Sequence, residues 1–174
     1  MVVRSVARRS RLKELGVERA TFGAAGELGP VGATVDIPID KKIQATVTIE
    51  NTGSQSLTRN FCVEVYYADT LSDSSGDPET DLDTWYDEKE ASILVCEFDK
   101  TLNPGDTLTL VTGGVDASNW SEGDIIDAGV VVYGVIPGSG EYEYYDSLKV
   151  ADAVRIIAPA TRVEITDVTF SETD

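Results

Sequence analysis

Ile43-Gln44-Ala45-Thr46-Val47-Thr48-Ile49-Glu50, followed at once by Asn51-Thr52-Gly53-Ser54, is the stretch that decides the fold. Ile43, Ala45, Val47 and Ile49 alternate with Gln44, Thr46, Thr48 and Glu50. A period of two is that of a strand with one face buried and one face wet. Asn-Thr-Gly-Ser then breaks the pattern as a turn does. Working outward, strand-like runs recur at 59–68, 91–99 and 106–112, and Asn103-Pro104-Gly105-Asp106 makes a tight turn before the last of them. Residues 129–136 are nearly all apolar, as in a central strand covered on both faces, and Pro137-Gly138-Ser139-Gly140 ends them. Glu141-Tyr142-Glu143-Tyr144 alternates again, and 154–157 and 162–170 complete the set. In the last run Val163 and Ile165 share one face, while Val168 and Phe170 fall on the other parity. A bulge or bend is therefore expected at Thr166-Asp167.

Eight or nine short strands separated by turns, with no long helix, predict an all-β fold. An antiparallel β-sandwich is the expected form and a barrel its competitor. The longest irregular stretch runs over 69–90. A length of 174 residues, 41% of them hydrophobic, fits one domain with a core of its own.

Three of these runs together carry a resemblance. They are 43–54, then Phe61-Cys62-Val63-Glu64-Val65-Tyr66-Tyr67, then Leu102-Asn103-Pro104-Gly105-Asp106-Thr107-Leu108-Thr109-Leu110. They resemble the CARDB-type immunoglobulin-like domain, in which a strand ends in Asn-x-Gly, an apolar strand follows, and a Leu-x-Pro-Gly turn later opens another. The resemblance covers roughly residues 17–136. It implies an immunoglobulin-like sandwich and a role in adhesion, assembly or display on the surfaces of bacteria, archaea and their viruses. Immunoglobulin-like modules made inside a cell and then assembled are familiar as virion parts, such as decoration, tail or spike components.

Charge divides the chain. Residues 1–20 hold Arg4, Arg8, Arg9, Arg11, Lys13 and Arg19 against Glu14 and Glu18, a balance of +4. The remaining residues hold 8 basic and 29 acidic side chains, a balance of −21. The division reads as a basic N-terminal arm, 1–16, on an acidic domain, 17–174. The arm is expected as a short helix stopped by Gly16, or as a frayed terminus. Its functional reading is docking on an acidic neighbour, an identical subunit included. The acidic body opposes nucleic acid and anionic membranes, and suits cations, basic partners or salty water. No run is long and apolar enough to span a bilayer. Basic residues without an apolar run at the start are unlike a secretory leader, so ordinary secretion is not expected.

The absence of histidine removes the Ser-His-Asp triad, the Cys-His pair and histidine metal sites. Carboxylates alone remain for catalysis, and no spacing singles out a pair, so no enzyme is expected. Cys62 shares its parity with Glu64, and Cys96 shares its own with Leu94 and Phe98. One then faces outward and the other inward, which predicts two free thiols.

Nine acids lie between 69 and 90, with Lys89 alone opposing them. Asp77, Glu79, Asp81, Asp83 and Glu88 occupy positions 1, 3, 5, 7 and 12 of a calcium-loop frame, but Leu82 stands where its glycine belongs. A solvated acidic loop, a looser Ca²⁺ site on those five residues, and a dock for a basic partner, the chain's own N-terminal arm being the obvious candidate, are the three readings. Trp85, Trp120, Tyr86, Tyr142, Tyr144 and Tyr145 serve either core packing or a sugar-binding platform. Asn119-Trp120-Ser121 fits the N-glycosylation pattern, which matters only on an exported chain.

The expected function is thus a non-enzymatic structural protein of a virion that self-assembles or docks on a lattice. It would use Arg4, Arg8, Arg9, Arg11 and Lys13 of the arm and the terminal strand bearing Val163, Ile165, Val168 and Phe170. That strand either closes its own sandwich or pairs with a neighbour's edge. The alternative is a Ca²⁺-stabilised module, extracellular or on a cell surface, that binds carbohydrate or a cell.

Overall fold

A computed structural model describes residues 14–26 and 32–159. Among these residues nine strands, one α-helix and a short 3-10 turn at Ala117–Asn119 form: β1 Leu15–Ala24, β2 Val35–Pro38, β3 Lys42–Asn51, β4 Leu57–Ala68, α1 Pro78–Glu88, β5 Ala91–Leu102, β6 Thr107–Val111, β7 Val115–Asp116, β8 Ile125–Val135 and β9 Tyr142–Ile157. One sheet has the order β1-β3-β6, with β7 also paired to β3. The other has the order β2-β9-β8-β4-β5. Every pairing is antiparallel except β2 with β9. This is an immunoglobulin-like all-β sandwich.

The period-two stretch behaves as its alternation requires. Ile43, Ala45, Val47 and Ile49 are fully buried and meet Phe61, Val63 and Val65 of β4 and Val130 and Val132 of β8 in one core. The motif ends of three runs interlock at one end of the sandwich. Asn51, at the end of β3, is fully buried. Its Nδ2 donates to the Gln55 and Leu102 carbonyls, both at 2.8 Å, and its Oδ1 accepts from the Gly53 amide at 3.0 Å. The Gly105 amide donates to the Asn51 carbonyl at 2.8 Å. Gly105 has φ +84°, which a type II turn demands at the position after proline. A single amide side chain therefore ties the Asn-x-Gly turn to the strand end that precedes the Pro-Gly turn.

Several expectations need correction. Residues 78–88, read as irregular, form α1. Pro78 sits in its first turn with Glu79 and Asp81, both suited to a helix N-terminus. Only Leu82 and Trp85 form its buried apolar contact, too few to show a helical period. Gly16 lies inside β1, opposite Glu50, and does not stop a helix. Runs 141–144 and 154–157 are the two ends of one sixteen-residue strand, β9.

The cysteines are not free: Cys62 and Cys96 are joined by a disulfide. They stand directly opposite one another on β4 and β5, on the outer face of the sheet, with Cα atoms 4.1 Å apart. Ile93, Leu94 and Val95 are all apolar, which hides from the sequence which face of β5 is inward. Ile93 and Val95 pack against the core, while Leu94 is exposed. Arg4, Arg8, Arg9, Arg11 and Lys13, and likewise Val163, Ile165, Val168 and Phe170 with the bend at Thr166-Asp167, lie outside the described residues.

Candidate functional site: an aromatic groove on the outer sheet face

The five-stranded sheet buries one face in the sandwich and turns the other outward. Across that outer face the register places Leu94, Glu64, Val131 and Ser147 in one row, and Cys96, Cys62, Tyr133 and Tyr144 in the next. Tyr142 lies beyond, opposite Val135. A register shift between Val132 and Tyr133 on β8 leaves Tyr145 as an extra residue on β9. The bulge lets Tyr144 face outward while Tyr145 packs into the main core.

Helix α1 covers part of this face. Its Trp85 and Leu82 pack with Tyr66, Ala68, Val131 and Tyr133 in a second apolar cluster. Trp85 lies so close to β8 that a Cβ on Gly129 would come within 2.5 Å of its ring. Serines pin the approach to the helix. The Asp81 carboxylate is buried and accepts hydrogen bonds from the Ser74 and Ser147 hydroxyls at 2.5 and 2.6 Å. It also accepts from the Ser75 amide and hydroxyl at 2.7 and 2.6 Å. Burial pushes the Asp81 pKa up, but those hydrogen bonds outweigh it and hold the group below the usual carboxylate range.

That shift has a checkable sign. A carboxyl depressed in the folded state stabilises the fold above its unfolded pKa, and the contribution is lost as pH falls through the folded value. Wild-type stability should therefore decline below about pH 4 partly through this group. Asp81→Asn should cost about 1–3 kcal/mol at neutral pH and flatten the acid limb. Urea midpoints between neutral and acid pH measure both effects, and an acid limb of unchanged slope in the variant would refute the assignment.

Beside the helix the outer face stays open. A groove of about 280 Å³ is lined by Glu64, Leu82, Tyr86, Leu94, Tyr133, Tyr142 and Tyr144. The Tyr133 ring is tilted against Tyr142 and Tyr144, with centroids 5.7 and 5.8 Å away. Tyr86, Leu94 and Phe98 are exposed by 49, 52 and 67%. Lys89 lies over the Tyr86 ring, 3.3 Å from its centroid. Glu64 lies half-buried between Leu94 and Val131, and among the described residues its carboxylate has no hydrogen-bond or ion-pair partner.

At the Tyr142 end, Arg59 donates to Glu143 at 2.9 Å and the Tyr145 hydroxyl donates to the same carboxylate at 2.5 Å. Burial raises the Glu143 pKa, but the hydrogen bonds from Arg59 and Tyr145 bring it down overall.

The residues singled out in the sequence divide between core and surface. Trp85, Trp120 and Tyr145 are buried, so only Tyr86, Tyr142 and Tyr144 of the six aromatics reach the groove. The five acids of the calcium-loop frame are strung along α1 rather than around a loop. Asp77 stands at the N-cap position just before the helix, where its carboxylate caps no backbone amide but accepts from the Thr80 hydroxyl at 2.8 Å. Glu79 lies in the first turn, Asp81 points inward, and Asp83 is exposed. Glu88, near the other end, accepts from the Ser72 amide at 2.7 Å. Among the described residues no group of three His, Cys, Asp or Glu side chains is arranged to hold a metal ion. Glu64, Leu94 and Tyr133 were missed. The signal for Tyr133 was present in 129–136, where its parity differs from that of the core residues Val130 and Val132.

Fold and face together define a class: an immunoglobulin-like sandwich with an aromatic groove open to solvent on one sheet. Solved structures with some likeness include the C-terminal domain of Wzt, at a TM-score of 0.46 and 7% identity, over 92% of this chain and 86% of that one. The ligand-binding region of serine-glutamate repeat protein A of Enterococcus faecium matches at 0.32 and 11%, over 82% of this chain and all of that one. An immunoglobulin-like protein of Pseudomonas aeruginosa matches at 0.31 and 11%, over 84% of this chain and all of that one. No family model and no curated protein matches the chain. At these scores the likenesses carry no functional argument.

Proposed function

We propose that this chain is a non-enzymatic adhesion or assembly module whose working surface is the outer face of the five-stranded sheet. The observation that carries the reading is the pair of exposed side chains Tyr86 and Leu94 in the lining of the tyrosine groove, with Phe98 exposed further along β5. Large apolar side chains gathered on a strongly charged surface mark interaction sites. A chain of net charge −17 stays soluble despite such a patch, and its acidity disfavours anionic surfaces as partners. The Cys62–Cys96 disulfide suits a protein that works in oxidising surroundings, as virion and cell-surface proteins do. The CARDB-like motifs favour the same setting. Self-association, or docking on a lattice of like subunits, is the function that best uses an exposed apolar face together with a basic arm.

Light scattering after size exclusion tests this. The full chain should run as an oligomer at low salt, well above the 18.7 kDa of one chain. Phe98→Lys and Leu94→Lys should return it to a monomer with an unchanged circular dichroism spectrum. A wild-type monomer at every salt and concentration would overturn the self-assembly reading.

A further inference from the structure

We propose that the tyrosine groove is the dock for the chain's own N-terminal segment, residues 1–13, with an arginine of that segment paired to Glu64. This deepens the reading above by naming the partner of the same face, and in its intersubunit form it rests on that reading.

The groove asks for a cation that also brings apolar surface. Glu64 is half-buried on an apolar floor with no partner among the described residues, and a carboxylate taken partly out of water gains from an opposite charge. Tyrosine faces are negative, so Tyr86, Tyr133, Tyr142 and Tyr144 favour a cation above them. One rim ring already holds one, since Lys89 lies on Tyr86. A guanidinium meets both demands, because it pairs with a carboxylate through its fork and stacks on an aromatic ring through its plane.

Residues 1–13 supply those groups. They contain Arg4, Arg8, Arg9, Arg11 and Lys13, no acid, and Val2, Val3, Val6 and Leu12 between them. Their place in the chain also fits. β1 begins at Leu15, opposite Asn51, at the end of the sandwich where β9 begins at Tyr142 and where Asn60 of β4 faces Val135 of β8. β1 also flanks β9, with the Val17 amide donating to Asp146 at 2.7 Å. The segment therefore leaves the fold beside the strand that carries Tyr142 and Tyr144. Thirteen residues span at most roughly 45 Å when extended, enough for the face of the same subunit or of a neighbour.

The test uses the full chain with a nitroxide attached at Ser5→Cys, the Cys62–Cys96 disulfide being kept. In isotope-labelled protein, amide signals of 62–66, 131–135 and 142–144 should lose intensity relative to the reduced label. The loss should shrink at about 1 M salt, where the screening length falls to about 3 Å, and it should shrink in Glu64→Gln. Intensity loss away from the groove, or loss indifferent to both salt and Glu64→Gln, would overturn the proposal.

Mixing isotope-labelled chains without nitroxide and unlabelled chains with it separates the two forms. Loss in the mixture places the segment in a neighbour's groove. Loss only within one molecule keeps the dock but withdraws its role in assembly, as a strictly monomeric mass would. Failure of the assembly reading and failure of the dock are thereby told apart.

Discussion

Asn51→Ala is expected to cost about 2–3 kcal/mol, because it takes a donor from the buried Leu102 carbonyl, a penalty of about 1–3 kcal/mol, and loosens two further turn contacts. The substituted side chain makes three hydrogen bonds, two donated to the Gln55 and Leu102 carbonyls and one accepted from the Gly53 amide. Of the three backbone groups only the Leu102 carbonyl is bonded in a buried position, since the Gly53 amide also donates to the Glu14 carbonyl at 3.0 Å and Gln55 is exposed to water. The loss is also cooperative. The 52–56 turn, the end of β5 and the Pro-Gly turn are held to the same residue, which also donates its amide to the Asp106 carbonyl. Asn51→Asp is the sharper control. It keeps the acceptor for Gly53 but replaces the donor with a buried negative charge facing two carbonyl oxygens, so it should be at least as damaging as alanine. Urea unfolding followed by tryptophan fluorescence measures both. A cost below about 1 kcal/mol for Asn51→Ala would mean that the turns hold themselves, and that the side chain is incidental to the fold.

The same residue shows how far the fold can be read from the sequence. Ile43, Ala45, Val47 and Ile49 announce a half-buried strand because their neighbours are polar, and the structure buries all four. The Asn-x-Gly and Leu-x-Pro-Gly motifs are legible because a turn constrains backbone and side chain together, leaving few residue types that fit. Legibility fails where both faces of an element are apolar or where a contact spans distant segments. Around Cys96 both parities carry aliphatic side chains, so grouping Cys96 with Leu94 and Phe98 gives the wrong face as inward and hides the disulfide. Helix α1 shows the opposite weakness, since its exposed face is so acidic that Leu82 and Trp85 do not stand out as a stripe. Pro78 with Glu79 and Asp81 was the available start signal, read instead as part of a calcium frame.

The groove was harder still to foresee. Glu64, Tyr86, Tyr133 and Tyr144 lie on four different elements, and only the register of β4, β8 and β9 and the placement of α1 bring them together. A bulge of one residue decides which of Tyr144 and Tyr145 faces outward. Sequence alternation near a bulge gives the right pattern with the wrong phase on one side of it. A surface assembled in this way leaves no contiguous motif.

Trp85→Ala should give the other large loss, about 3–5 kcal/mol, the usual cost of deleting a fully buried large aromatic side chain. Trp85 has no exposed surface, and its Nε1 donates to the Ser72 carbonyl at 2.8 Å. Its ring rests on the bare Cα of Gly129, so Gly129→Val should reproduce the effect from the opposite side by pushing the ring away. The damage should be confined to one layer. The main core lies between the two sheets and does not include Trp85, whereas the second cluster depends on it. Hydrogen exchange should then show the amides of α1 losing protection far more than those of β3 and β4. The groove shares that layer, because Leu82 and Tyr86 form its helical wall. Trp85→Ala should consequently abolish binding at the outer face even in conditions where the sandwich stays folded. Leu94→Lys should abolish it with stability intact, since Leu94 lines the groove and is exposed. If Trp85→Ala instead unfolds the two sheets together, with β3 and α1 exchanging at one rate, then α1 is part of the cooperative core and not an overlay on the sheet.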